Sequence, residues 1–418
     1  MRLAKRSLSE SNLSLANMDS RFHRFYKLNA KTISTVDVAL LTVVTLNHLH
    51  FALALLASLR KHHPDKNLFV CLVDRPTSLP DIVDRGIQFV FPEQFEIPRW
   101  DRFAFQYSAF ELACALKPYA FEYIAKLGFR KLVYLDADIQ VYAPLDEISE
   151  LLNYNDILLT PHLTSELPDN VCEPTLAGLR TTGVYNAGFI ALRTTETGMR
   201  FLKWWKERCQ KTCIVDITGG VHVDQAWLDF VPGMFSGVSI IRRHGWNVAY
   251  WNLPNRPIRI DQNGHYWVHD ERLLFFHFSG YDPSLPHVLS KHQNQIRLEK
   301  LPIVQNLIAS FAQLLDAVGR HEYESLGYGF ANLSDGTNIH PRWREVIRCE
   351  SADFPGIGNP FETSANTGQK RRLMKASIEL VDARSDWHQR TAIAAGRILN
   401  ATPGLGWLYR FARTLLEK

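Results

Sequence analysis

The sequence predicts an α/β protein: a mostly parallel central sheet flanked by helices, with a helical C-terminal extension. Three observations predict it. First, Val36–Thr45, Asn67–Val73, Leu132–Leu135, Asp156–Thr160 and Leu273–Phe278 are short, continuous apolar runs, as in strands buried on both faces. Second, a helical stretch, Phe51–His63, lies between the first two runs, and β-α-β alternation implies parallel strands with right-handed crossovers. Third, runs end abruptly in polar residues, most sharply at Asp136-Ala137-Asp138. Open α/β sheets place their ligands at such carboxyl ends.

The totals fit this class. The chain has 418 residues, 46% of them hydrophobic, enough for one large domain plus appendages. A net charge of +4 argues against a nucleic-acid partner. The charge is uneven: residues 1–35 carry seven Lys/Arg against two acids and residues 366–418 carry ten against four, so the middle is acidic. Basic ends either meet anionic lipid or stand as solvated tails. The six cysteines are scattered; Cys209 and Cys213 have no matching Cys/His pair, so zinc is rejected. Reduced core thiols and a cytoplasmic location are expected. The N-terminus lacks the apolar region of a secretion signal, and no apolar run approaches the ~18–20 residues of a membrane span.

Taken in order, residues 1–35 are Ser- and Asn-rich and expected to be loosely ordered. The first strand ends in Thr45-Leu46-Asn47-His48; the second ends at Asp74-Arg75-Pro76; a third falls in Gly86–Phe91. No G-x-G-x-x-G follows the first strand, which argues against a dinucleotide dehydrogenase. Tyr107–Leu127 reads as a helix interrupted at Pro118. After the Asp-x-Asp strand come Asp156–Thr160, a polar stretch to Thr182, a strand over Val184–Arg193 and an aromatic helix over 198–208. His244–Leu253 holds Asn247, Trp251 and Asn252, a set that suits either sugar recognition or a polar core. Lys291–Arg320 has helical spacing. Residues 351–368, rich in Pro, Gly, Asn and Ser, read as a linker before a basic helical tail. In that tail Trp407, Leu408, Phe411 and Leu415 share one face, which fits a docked helix or an interfacial one.

Two carboxylates cost too much to bury unpaired. On an extended backbone, Asp136 and Asp138 point to one side and can grip one hard divalent cation through oxygen. Their plain alternative is a capped strand end. His277, inside the apolar run LLFFHF, needs a partner there; it is either a satisfied core histidine or a ligand.

The segment YLDADIQVYAPL (134–145) resembles the metal-binding segment of GT-A fold glycosyltransferases. It is closest to the retaining enzymes of the glycogenin and bacterial lipopolysaccharide galactosyltransferase type. Asn186-Ala187-Gly188, Asp224-Gln225 and His277-Phe278-Ser279-Gly280 extend the resemblance in order. It implies that Asp136 and Asp138 hold Mn²⁺ or Mg²⁺ against the diphosphate of a nucleotide sugar, with His277 as third ligand; imidazole suits Mn²⁺ better. It implies that Asn186, Ala187 and Gly188 line the sugar pocket. Asp224 would bind sugar hydroxyls, and Gln225 would lie near the anomeric carbon; these are the two expected catalytic residues. Lys117 would approach the donor sugar or phosphate. Thr45, Asn47, Asp74, Ala137 and Gly280 complete the expected donor-binding set. Structurally, Asp224 could be a plain helix N-cap, Asn-Ala-Gly a turn, and Lys117 a solvated side chain. The family often continues with Lys-Pro-Trp, whose Lys meets the phosphates. This chain has Tyr281-Asp282-Pro283 instead, which leaves Lys291 or His292 to take that place.

The expected function is thus transfer of a sugar from a nucleotide sugar, expected to be a UDP-sugar, to a carbohydrate or glycolipid hydroxyl, with retention. Surface polysaccharide or glycoconjugate synthesis is the expected setting. A sugar-nucleotide-forming enzyme would carry a Gly-rich basic loop after strand one, and TLNHLHF offers none. A non-catalytic scaffold fits less well with an intact metal triad. The expected organisation is a basic segment at 1–35, a catalytic domain at 36–290, a helical acceptor-side extension at 291–350, the linker at 351–368 and the basic tail at 369–418. The tail offers a peripheral contact with the inner face of a membrane.

Overall fold

The computed structural model describes residues 37–64, 66–75, 87–167, 172–349 and 359–362. The N-terminal basic segment, most of the linker and the basic tail with its expected membrane contact lie outside the described residues. The chain divides into two compact units, one within residues 1–103 and 109–331, the other within 104–108 and 332–418.

The first unit is built on strands that begin with β1 (Val38–Val44), buried at every residue, followed by α1 (Leu49–His62), β2 (Asn67–Leu72) and β3 (Gln88–Val90). Then come α2 (Ala109–Lys126), β4 (Lys131–Leu135), β5 (Ile139–Val141), β6 (Ile157–Pro161), α3 (Leu176–Thr182), β7 (Tyr185–Arg193) and α4 (Glu196–Cys209). With β10 (Val238–Ile240) these strands form a seven-stranded sheet in the order β10-β6-β7-β4-β1-β2-β3. Every pairing is parallel except those of β7, which runs antiparallel to both β4 and β6. The α/β class read from the apolar runs is therefore present, with one reversed strand at the centre.

Three features depart from the sequence reading. The helix α2 runs unbroken through Pro118. The ring removes one backbone donor, but Leu112, Leu116, Phe121 and Ile124 on the same helix are all buried and hold it in place. The helix expected from Lys291 begins only at α5 (Pro302–Ala317), whose first residue is a proline and so marks a helix start. Residues 291–297 are loop, and α6 (Arg320–Glu324) follows. Two small sheets had no sequence signal: β8 (Val215–Asp216) with β9 (Val221–His222), and β11 (Ile258–Ile260), β12 (Tyr266–Val268) and β13 (Glu271–Arg272).

The pairing that matters most for the site is short. β14 (Phe275–His277) runs antiparallel to β5, with His277 opposite Ile139 and Phe275 opposite Val141. Phe278 N–H donates to Asp138 O at 2.9 Å and continues the ladder. Phe275 and Phe276 are fully buried, and each contributes about 1.5–3 kcal/mol. That burial fixes the register and offsets the cost of drawing a histidine inside.

In the second unit, α7 (Pro341–Cys349) buries Trp343, Val346 and Ile347. Phe361, inside the expected linker, is buried and packs edge-on against Phe105 at 5.0 Å. All six cysteines are unbridged.

Candidate active site

β4 ends at Leu135, and the chain turns through Asp136, Ala137 and Asp138 before β5 begins. Asp136 N–H donates to Gly188 O on the antiparallel neighbour β7 at 2.8 Å, so the acidic turn and the Asn-Ala-Gly segment are locked side by side. The β14–β5 pairing delivers His277 from the other direction. His277 Nε2 lies 3.1 Å from Asp138 Oδ1 and 3.8 Å from Asp136 Oδ2. One ligand atom from each of the three lies within 4.8 Å of the other two. Adjacent ligands of an octahedral ion are about 3 Å apart at ordinary metal–oxygen distances, so the spacing fits one cation. The donor set, two carboxylates and an imidazole, fits Mn²⁺ or Mg²⁺.

Electrostatics agree. Burial pushes the His277 imidazole toward neutrality, but Asp138 in contact outweighs it and holds its pKa above the ordinary value. Burial likewise works to raise Asp138, and His277 overcomes it, so that carboxyl is held low. The pocket's field favours positive charge.

Beside the triad stands Lys117, expected as either donor contact or solvated side chain; it is buried. Its Nζ lies 3.3 Å from Asp136 Oδ1 and 3.2 Å from Asp224 Oδ2, and donates to Ala187 O at 3.2 Å. Burial would discharge it, but Asp136 and Asp224 dominate and keep it charged. Tyr134 OH donates to Asp136 Oδ1 at 2.5 Å. Asp224 is fully buried, and its own carboxyl is pushed up by that burial against the pull of Lys117. Among the described residues neither of its oxygens accepts a hydrogen bond of ordinary geometry. It does not cap a helix: a 3₁₀ turn at Ala226–Phe230 follows, with Gln225 at the cap position.

Gln225 is held at both ends. Its Oε1 accepts from Ala187 N at 3.0 Å and Asn186 Nδ2 at 3.2 Å, and its Nε2 donates to Thr182 O at 2.8 Å. Gly188 is required. A Cβ there would lie 2.4 Å from His277 Cε1 and 2.7 Å from Asn186 Oδ1. Gly280 sits at φ +70°, where a Cβ would strike His292, and its carbonyl accepts from Lys291 N at 3.0 Å. The loop from Tyr281 to Ser290 thus closes on itself and brings Lys291 and His292 beside Gly280.

Two of the expected donor residues stand in structural roles of their own. Thr45 Oγ1 donates to Asn47 Oδ1 at 2.7 Å at the end of β1. Asp74 is buried and accepts from the N–H groups of Leu46, Arg75 and Gly329. Ala137 lies between the two acids, partly buried against the core. Sequence reasoning gave no role to His162, whose Nε2 receives Asn186 Nδ2 at 3.2 Å and whose ring packs edge-on against Trp251. Its position after Thr160-Pro161 carries no pattern that could have marked it.

No family model matches the sequence. The uncharacterized protein YfnF of Bacillus subtilis (strain 168) is 28% identical over 252 residues, 57% of this chain and 80% of that protein. The uncharacterized protein YfnD of the same organism is 24% identical over 250 residues, 57% of this chain and 76% of that protein. Among solved structures, the galactosyltransferase LgtC in complex with donor and acceptor sugar analogs is 15% identical, with a TM-score of 0.41, over 67% of this chain and 96% of that one. The glycosyltransferase GlyE of Streptococcus pneumoniae TIGR4 is 15% identical, with a TM-score of 0.38, over 67% and 63%. At these scores the structural likenesses carry no weight for function. Among the described residues no helix is long and apolar enough to cross a membrane.

Proposed function

We propose that the protein is a metal-dependent glycosyltransferase that moves a sugar from a nucleotide sugar to an acceptor hydroxyl. The observation that carries this is the convergence of Asp136, Asp138 and His277, with ligand atoms within 4.8 Å, at the carboxyl end of a central strand. Those three residues would hold a divalent cation, which supplies Lewis-acid neutralisation of the charge growing on a departing diphosphate. The family resemblance of the four ordered segments favours Mn²⁺, a UDP-sugar donor and retention.

The chain's own residues supply the rest. Lys117 keeps a buried positive charge between the Asp136 and Asp224 carboxylates. Asp224 offers buried oxygens to donors such as sugar hydroxyls, and Gln225, braced by Ala187 and Thr182, holds its amide beside the Asn-Ala-Gly segment. Gly188, bare of side chain, leaves space for close approach between His277 and Asn186. Lys291 or His292, both brought up to Gly280, stands in for the missing lysine of the Lys-Pro-Trp pattern. The acceptor is a carbohydrate or glycolipid hydroxyl of surface polysaccharide or glycoconjugate synthesis.

A donor-hydrolysis screen of UDP-, GDP- and ADP-sugars, with and without Mn²⁺, tests this reading. Mn²⁺-dependent release of one nucleoside diphosphate is expected. Tight UDP–Mn²⁺ binding with no release from any donor, with or without carbohydrate acceptors, would contradict it.

A further inference from the structure

We infer that Asn247 is a positioning residue: it sets the tautomer of His277 and ties the cation site to the sugar-pocket amides. The inference rests on the cation-site reading above. The evidence is a chain of hydrogen bonds whose direction is fixed by the backbone.

The chain starts at Gly188. Its N–H donates to Asn186 at 3.0 Å, so the atom it meets is the acceptor, Oδ1. The other end of the Asn186 amide agrees, because it donates to Gln225 Oε1, which itself accepts from the Ala187 N–H. Asn247 meets Asn186 Oδ1 at 3.0 Å, and only an N–H satisfies that acceptor, so Nδ2 of Asn247 faces it. The same Nδ2 reaches Thr160 Oγ1 at 2.9 Å. The oxygen of Asn247 is therefore left facing His277 Nδ1, 3.2 Å away. Facing an acceptor, Nδ1 must carry the hydrogen. That frees Nε2, the nitrogen turned to Asp136 and Asp138, to offer its lone pair to a cation. Metal-bound histidines are commonly oriented by an acceptor on the second ring nitrogen.

The local backbone is built for this task. Asn247 is nearly fully buried and adopts φ +51°, a left-handed conformation that asparagine tolerates better than most residues. Asn252 Nδ2 donates to Asn247 O at 3.0 Å and clamps the turn, while His277 N–H donates to Val248 O at 2.8 Å beside it. Asn247 is 1% exposed, and its amide is taken up by Asn186, Thr160 and His277. Of the two roles its sequence context allowed, sugar contact or polar core, the structure assigns a third.

Mn²⁺ affinity, followed by the electron paramagnetic resonance of free Mn²⁺, tests the inference on full-length wild type, Asn247→Ala, His277→Ala and the double variant. Asn247→Ala is expected to weaken Mn²⁺ binding about 10- to 100-fold, with a smaller loss for Mg²⁺. The double variant is expected to bind no worse than His277→Ala alone, because Asn247 acts through the imidazole. Asn247→Asp keeps an oxygen toward Nδ1 but turns a second oxygen on the Asn186 acceptor, so it is expected to recover only part of the affinity lost in Asn247→Ala. A folded Asn247→Ala protein with wild-type Mn²⁺ affinity would overturn the inference while leaving the cation site standing. Absence of Mn²⁺ binding by wild type would overturn both. Nitrogen-15 spectra of Mg²⁺-loaded wild type need no variant: the His277 ring is expected to be protonated at Nδ1, and an Nε2-protonated ring would refute the assignment.

Discussion

His277 and His50 are both shut from solvent, at 3% and 1% exposure, and both sit in apolar segments. Their surroundings differ completely. His50 lies on α1, with Phe51 at 4.4 Å and Tyr323 at 6.5 Å between ring centroids. Among the described residues neither of its ring nitrogens makes a hydrogen bond, and the Glu324 carboxylate is 3.8 Å away. Burial, aided by His48 and Arg320, pushes its pKa down to about 3. His277 has a partner on each nitrogen and a pKa held up by Asp138 despite its burial. Burial alone therefore does not decide what a histidine does. One region is a packing interface that keeps imidazole neutral; the other is a charged site that burial has not discharged.

Variants sharpen this contrast, and the largest effect is expected at the acids. Asp138→Ala removes the carboxylate closest to His277. Mn²⁺ affinity should fall by at least ~100-fold, the upper range for losing a mere orienting partner, and the metal-free protein should also lose stability, because Asp138 is the partner that keeps the buried His277 imidazole charged. Unchanged affinity would mean that the acidic turn is only a strand cap. Next is Gly188→Ala, whose Cβ meets His277 and Asn186 at under 3 Å. It should cost about 1–3 kcal/mol in urea unfolding and weaken Mn²⁺ binding together with stability.

The His50 side carries the pH prediction. With a native pKa of about 3 against an ordinary 6.5, the unfolded chain takes up a proton below pH 6.5 and the native chain does not. Stability contributed by this group is therefore lost as pH falls from 6.5 toward 3, at about 1.4 kcal/mol per unit. Between pH 7.5 and pH 5, His50→Phe should lose about 1–2 kcal/mol less stability than wild type. His162, which burial lowers to about 4, acts with the same sign and leaves a residual slope in the variant. Identical pH profiles would show that His50 is protonated in the fold. The smallest effect belongs to Arg243→Ala, whose half-exposed guanidinium meets Glu147 at 2.8 Å and Glu271 at 3.8 Å. It should change stability by less than ~1 kcal/mol and leave Mn²⁺ affinity alone.

The strands of the large sheet were legible because parallel strands buried on both faces leave unbroken apolar runs, as in VALLTVV of β1. The acidic turn was legible because two carboxylates interrupt such a run. What joins them was not. β5 and β14 are three residues each, too short for any periodicity, yet their pairing carries His277 to Asp138. Asn247 lies 30 residues before the histidine it holds, and its role depends on amide direction rather than residue spacing. Pro118 misled because the rule for helix interiors neglects the buried face that holds α2 in place. Lys117 read equally well as surface or site, since nothing local records the distant Asp224 that pairs with it.

The central claim is one cation held jointly by the acidic turn and His277. It is tested most directly by an anomalous difference map from crystals grown with Mn²⁺ and UDP. The expected result is a single strong peak about 2–2.5 Å from an oxygen of Asp136, an oxygen of Asp138 and Nε2 of His277. A peak that leaves the imidazole beyond coordinating distance, or no peak at the acidic turn, would contradict the account.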